Sequence, residues 1–430
     1  MIPRPVNMWP AIFMFMFGVC VCQKVNSRKL IEVASWKQIS YNIYGVLYDT
    51  DAYTRRANSS TFYPQDLEDS EKFFIQYNNV PIGFEVYNNK AFVTVPRRRH
   101  GIPSTLNYIL LDGTPSPPLR PYPHHQCDRP VSVYRPRVDC CHRLWMVDTG
   151  LLEVPNERKQ LRPPAIVIFD LRTNKQILRY ELKSTDLVNE STSGGLTSIT
   201  VDASPQSCNG AYAYINDLAT NGLIVFSLKE RDSWRIDHTS FVHDPAALNF
   251  TVAGHTINWR DGLFSLALSE PRADGSRTAY YHPLVSTQEF SINTENLKKK
   301  TKDIEGLVTP LGDRGFLTQS GSHDYHAPTK TLLFGNVAQD AILCWNVETP
   351  LKPENVVVVA QNHEKLVYIS DLKVIGEEVW VLVNQIPRFV YSRLDPDEDN
   401  YFIHRSNVRD LIRGTACDTS NNNILIIIID

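Results

Sequence analysis

Residues 132–150 read SVYRPRVDCCHRLWMVDTG, two short runs on either side of the charged, thiol-bearing turn DCCH. Side-chain character alternates along SVYRPRV and, less strictly, along RLWMVDT, so the stretch is predicted to be an antiparallel hairpin. The adjacent Cys140 and Cys141 leave three chemistries open: metal ligands, a redox pair, or halves of two disulfides.

The hairpin is one of six returns of a single pattern. The others begin at Ile82 (IGFEVYNNKAFVTVP), Leu196, Gly262, Ser320 (SGSHDYHAPTKTLLFGNV) and Val367 (VYISDLKVIGEEVWVLVNQ). A third run follows each: LNYILLD, PAIVIFDL, NGLIVFSL, STQEFSI, DAILCWNV and RFVYSRLD (388–395). The starts lie 47 to 66 residues apart, at or above the roughly 40–50 residues of known propeller blades. Helical patterns are scarce and Pro is frequent, with 27 residues. The chain is therefore predicted to be all-β, a six-bladed β-propeller. An open ring would leave an edge strand free to pair with other chains. LIEVASWKQISYNI, residues 30–43, is placed to close it by supplying the missing strand of blade six. Two β-sandwiches are the competing architecture, but no Pro-, Gly- or Ser-rich linker divides the chain into halves.

The ends suggest the compartment. Arg4, the apolar run MWPAIFMFMFGVCVC and the polar QKVNSRK describe a secretory signal peptide over 1–22, cleaved near Gln23. The run is shorter than the about 20 residues of a membrane span. The propeller is then expected over 23–420, with 421–430 a short apolar tail. Six cysteines remain, Cys127, Cys140, Cys141, Cys208, Cys344 and Cys417, and an even set in a secreted chain reads first as disulfides. Sequons at Asn58, Asn189 and Asn249 become candidate glycan sites on the same route. The formal net charge is −3 with signs mixed, so no basic stripe suits nucleic acid. Lys298–Lys300 reads as a solvated loop.

The chain resembles the insect Yellow and major royal jelly protein family. The resemblance rests on the hairpin at 132–150 and on PPAIVIFDLRTN, AYAYINDLATNGLIVFSL, INWRDGLFSLALS, RTAYYHPLVSTQEFSINT, VNQIPRFVYSRLDPDEDNYFI and IRGTACD, in the family's order. It implies a secreted six-bladed propeller. The family's second blade usually reads D-x-C-x-R-L-W, which matches Cys141 and makes Cys140 the extra residue. The resemblance thus pairs Cys127 with Cys141 and Cys344 with Cys417. Adjacent cysteines seldom bond each other, which leaves Cys140 with Cys208.

No P-loop, nucleophile elbow or HExxH is present, and no cofactor is expected. His323 and His326 in HDYH lie three apart, so on a strand they face opposite ways and do not converge on a metal. His124 in HHQC reads as loop surface, and Asp148 and Asp217 as turn residues. The expected site is the mouth of the central channel. In amine-binding members of the family the ligand is held around the last blade. VLVNQIPRF is similar to the family's S-N-[RK]-x-P motif, which implies a ligand contact from Asn384; capping of a strand is the structural alternative. Ile386 stands where some amine binders have an aromatic, and Ile369 offers no donor, so Phe84 and Phe264 would supply aromatic faces from other blades. The resemblance implies a non-enzymatic binder of a biogenic amine or catechol derivative in cuticle pigmentation. The alternatives are a dopachrome-converting enzyme and a nutritive or structural protein without a ligand. Neither nucleic acid nor membrane is an expected partner.

Overall fold

The computed structural model describes residues 30–53, 68–123, 129–154 and 157–419. The signal segment, Cys127, His124, Asn58 and the 421–430 tail lie outside them. Among the described residues, six four-stranded antiparallel sheets form a six-bladed propeller. The inner strands are Gly83–Tyr87, Arg137–Val138, Leu196–Ser204, Leu263–Leu268, Ser320–His326 and Tyr368–Ile375, at the six starts read from the sequence.

Strands at the middle of a blade are covered on both faces by the neighbouring blades. Ala165–Asp170 (AIVIFD) is accordingly buried almost throughout, and its β-branched residues suit that environment. The outer strand Lys175–Glu181 mixes exposed and half-buried positions. The core lies between blades: Trp145, Ile166 and Ile168 of blade two meet Ile199, Ile215 and Phe226 of blade three. The ring closes through Ile31–Trp36, which pairs antiparallel with Tyr401–Asn407 of blade six, Trp36 opposite Tyr401. Trp36 is buried against blade one, and its indole N–H donates to the Pro117 carbonyl at 2.8 Å.

Two expectations are corrected. RFVYSRLD is not the third strand of blade six: Ile386–Tyr391 is a short helix, and the third strand is Tyr401–Asn407. Pro387 near the helix start explains the difference, since its fixed φ favours the first helical turn. The cysteines also pair differently. Cys141 is bonded to Cys208, and Cys140 is exposed and free. Neither Cys127–Cys141 nor Cys140–Cys208 forms. The Asp139 carboxylate sets this, accepting from the Cys141 and Arg143 amides, from Arg143 Nε and from Trp145 Nε1 at 2.7–3.0 Å. The tight turn buries Cys141 at the Ser204–Ser207 turn of blade three and turns Cys140 outward. Cys344 and Cys417 are joined as expected, tying the segment after the last blade to blade five.

Candidate functional site

The inner strands begin at one face of the ring, and residues at those starts surround the axis. Ile82, Tyr134, Arg135, Thr197, Phe264 and Tyr368 come from five blades and line a cavity of about 260 Å³. Loops on the same face complete it with Arg98, Glu153, Trp259, Asp261 and Ile386. A larger cleft of about 640 Å³ lies off the axis beside the Leu151–Gln160 hairpin and draws on blades two and three alone. In the axial cavity acid–base groups from separate blades meet under an aromatic wall.

Its walls are aromatic. Trp259 packs edge-on to Tyr368 at 6.2 Å and stacks on Tyr391 at 6.4 Å. The Arg135 guanidinium lies over the Phe264 ring at 4.4 Å. Arg135 Nε and Nη1 donate to the carbonyls of Ser370 and Thr197 at 2.8 and 3.3 Å, which leaves Nη2 without a hydrogen-bond partner among the described residues. The Tyr134 hydroxyl donates to Glu153, whose other oxygen pairs with Arg158 at 3.5 Å. Glu153 is therefore already balanced.

Asp261 and Arg98 are not. Among the described residues, neither the Asp261 carboxylate nor the Arg98 guanidinium has a hydrogen-bond or ion-pair partner. Burial raises Asp261 from 3.8 to about 6, with Arg98 and Arg135 pulling the other way. Burial raises the Tyr368 hydroxyl to about 12. An unpaired carboxyl group near pH 6 in a cleft can take up and release a proton at neutral pH.

The residues expected from the sequence divide. Phe264 and Ile386 line the cavity. Asn384 is fully buried behind its wall: Nδ2 donates to the Pro81 carbonyl at 2.8 Å, and Oδ1 accepts from the Ile386 amide at 3.1 Å. Its amide thus fixes the strand end against blade one. Phe84 belongs to the core between blades six and one, and Ile369 to the core between five and six. Ile369 sits so close to blade five that a Cβ at Gly335 would lie 2.7 Å from its Cγ2. Asp148 and Asp217 are buried and paired with Arg179 and Arg235. Asn189 and Asn249 are exposed.

His323 and His326 face apart, His326 onto Thr329. His323 instead meets two residues of blade four, and ligand atoms of His282, Glu289 and His323 lie within 4.8 Å of one another. Arg314 Nη1 is 2.6 Å from Glu289 and already balances that carboxylate. A divalent cation would add to a positive charge with no second acid to offset it. The group joins blades four and five as a polar network, with His282 Nδ1 3.0 Å from the Glu289 carboxylate and Nε2 facing the carbonyls of Ser320 and Gly321.

The sequence reading missed Arg98, Arg135, Asp261 and Tyr368. For Arg135, Asp261 and Tyr368 the available signal was position: residues at or just before an inner-strand start reach the channel mouth, and Asp261 stands two residues before that of blade four; Arg98, after the second strand of blade one, carries no such signal.

The sequence profile described as major royal jelly protein matches residues 131–417. The L-dopachrome tautomerase yellow-f of Drosophila melanogaster is 40% identical over 408 residues, spanning 90% of this chain and 94% of that protein. The dopaminechrome tautomerase of the same organism is 32% identical over 424 residues, spanning 94% and 87%. Its protein yellow is 36% identical over 408 residues, spanning 92% and 72%.

Proposed function

The chain belongs to the major royal jelly protein family, and on that premise we propose that it is a secreted tautomerase of cyclised catechol quinones, the aminochromes of pigment chemistry. The observation that carries this reading is Asp261, an unpaired carboxylate brought to about 6 by burial in an aromatic-walled cavity at the channel mouth. Two relatives that match most of the chain are named as tautomerases of such compounds. Secretion is part of the proposal and agrees with the two disulfides.

Converting an aminochrome to a dihydroxyindole leaves its composition unchanged. Two C–H bonds at the saturated ring carbons break in turn, and two O–H bonds form at the quinone oxygens. No oxidant or reductant is needed. Asp261 takes the first carbon-bound proton, and the electron pair moves through the conjugated ring to a quinone oxygen. The Tyr368 hydroxyl and Arg135 Nη2 donate hydrogen bonds to that oxygen as it gains charge. Asp261 then returns its proton to solvent or product and repeats the step. General acid–base catalysis of this kind contributes about 10²–10⁴-fold.

Binding of a biogenic amine without turnover is the second reading, supported by the aromatic wall and the Asp261 carboxylate. The charge balance does not favour it, because Arg98, Arg135 and Arg158 already answer Glu153, Asp261 and Asp371 and leave no surplus negative charge for a cationic amine. Loss of aminochrome colour with purified protein tests the proposal. Faster decay than with a heat-inactivated control supports it. A rate equal to that control, with calorimetric binding of dopamine or serotonin, would replace it with the second reading.

A further inference from the structure

Three consecutive arginines, Arg97, Arg98 and Arg99, follow the second strand of blade one, and each has a different fate. Arg97 donates to the carbonyls of Ile102, Val131 and Pro103 at 2.6–3.1 Å and ties its loop to blade two. Arg99 lies over the Phe389 ring at 5.2 Å. Arg98 lines the cavity, open to solvent there, with no hydrogen-bond or ion-pair partner among the described residues. Its guanidinium is within electrostatic reach of Tyr134, Glu153, Tyr368 and Asp261. Of the two carboxylates, Glu153 is held by Tyr134 and Arg158.

The wall therefore offers one guanidinium with all its donors free, near Asp261 rather than locked to it. Arginine's planar fork matches a carboxylate in two parallel hydrogen bonds. We propose that Arg98 forms a carboxylate subsite, so that this chain selects aminochromes that keep the amino-acid carboxylate over their decarboxylated counterparts. The substrate assignment rests on the tautomerase reading above; the carboxylate subsite itself does not. Since the carboxylate of L-dopachrome is carried on a saturated ring carbon, its capture by Arg98 also orients the C–H bonds that Asp261 must reach.

Two measurements separate the subsite from the activity. In the first, calorimetry compares unreactive ring analogues, indoline-2-carboxylate and indoline. The wild-type protein is expected to bind the carboxylate at least tenfold more tightly. Arg98→Ala should remove most of that preference, and Arg98→Lys, which keeps the charge but not the fork, should restore part of it. In the second, kcat/KM is measured for L-dopachrome and dopaminechrome. A charge-assisted hydrogen bond corresponds to roughly 10- to 100-fold, so the wild-type ratio should exceed ten and fall toward one in Arg98→Ala. Equal affinity of the wild type for the two analogues overturns the subsite, whatever the turnover. So does a preference that Arg98→Ala leaves intact while the variant melts like wild type. Discrimination between the analogues without turnover of either chromophore would keep the subsite and overturn the tautomerase reading.

Discussion

Replacing Asp261 by Asn should stabilise the protein at neutral pH. Burial lifts the carboxyl from 3.8 to about 6, which means the folded state resists its charge. Two units correspond to about 3 kcal/mol, a ceiling that water in the open cavity reduces to about 1–2 kcal/mol. The sign follows from proton linkage. Below about pH 4 the group is protonated folded or unfolded, and it costs nothing. Between about 4 and 6 the unfolded chain ionises first, so the wild type loses stability as pH rises. Above about 6 the full penalty remains. Asn keeps the shape without the charge and escapes it. Calorimetric melting of both proteins with disulfides intact should show the variant about 1–2 °C higher at pH 7, the gap closing toward pH 4.5. A variant that melts lower at pH 7, or a gap independent of pH, would refute the assignment of Asp261 as a desolvated, unpaired acid.

Other outcomes follow from the scaffold. Serine at both Cys344 and Cys417, which lie 73 residues apart, should lower stability by about 4 kcal/mol on the chain-entropy account; denaturant titration of both proteins checks this. Asp139→Ala strands the buried Arg143 and unties the hairpin, and the same titration should show a loss of about 3–5 kcal/mol. Trp36→Ala removes the largest side chain of the closing strand. It should cost about 3–5 kcal/mol and increase aggregation, seen by light scattering, as the edge at Tyr401–Asn407 is exposed.

The fold was readable because a propeller repeats its strand order and because its closing strand carries its own apolar signature. What failed were features set by a single local constraint. Pro387 turned an apolar, β-like run into a helix, and Asp139 decided which of two adjacent thiols faces inward. The site was only half legible. Phe264 could be placed from its blade and Ile386 from the likeness of VLVNQIPRF to the family's motif, whereas Asn384 has the right residue type one layer too deep. Arg98 carries no mark in the chain, and Asp261, 163 positions away, is marked only by its place just before an inner strand. Their distinction is the absence of a partner, which exists only once five blades and their loops have met.

The central claim is that Asp261 moves protons at the channel mouth, and the pH dependence of kcat/KM on L-dopachrome, corrected for spontaneous decay, tests it most directly. The account predicts a rise of about tenfold per unit below pH 6 and a plateau above it, with Asp261→Asn indistinguishable from the uncatalysed rate throughout. A flat wild-type profile across pH 5–7, or a variant with wild-type turnover, would contradict it.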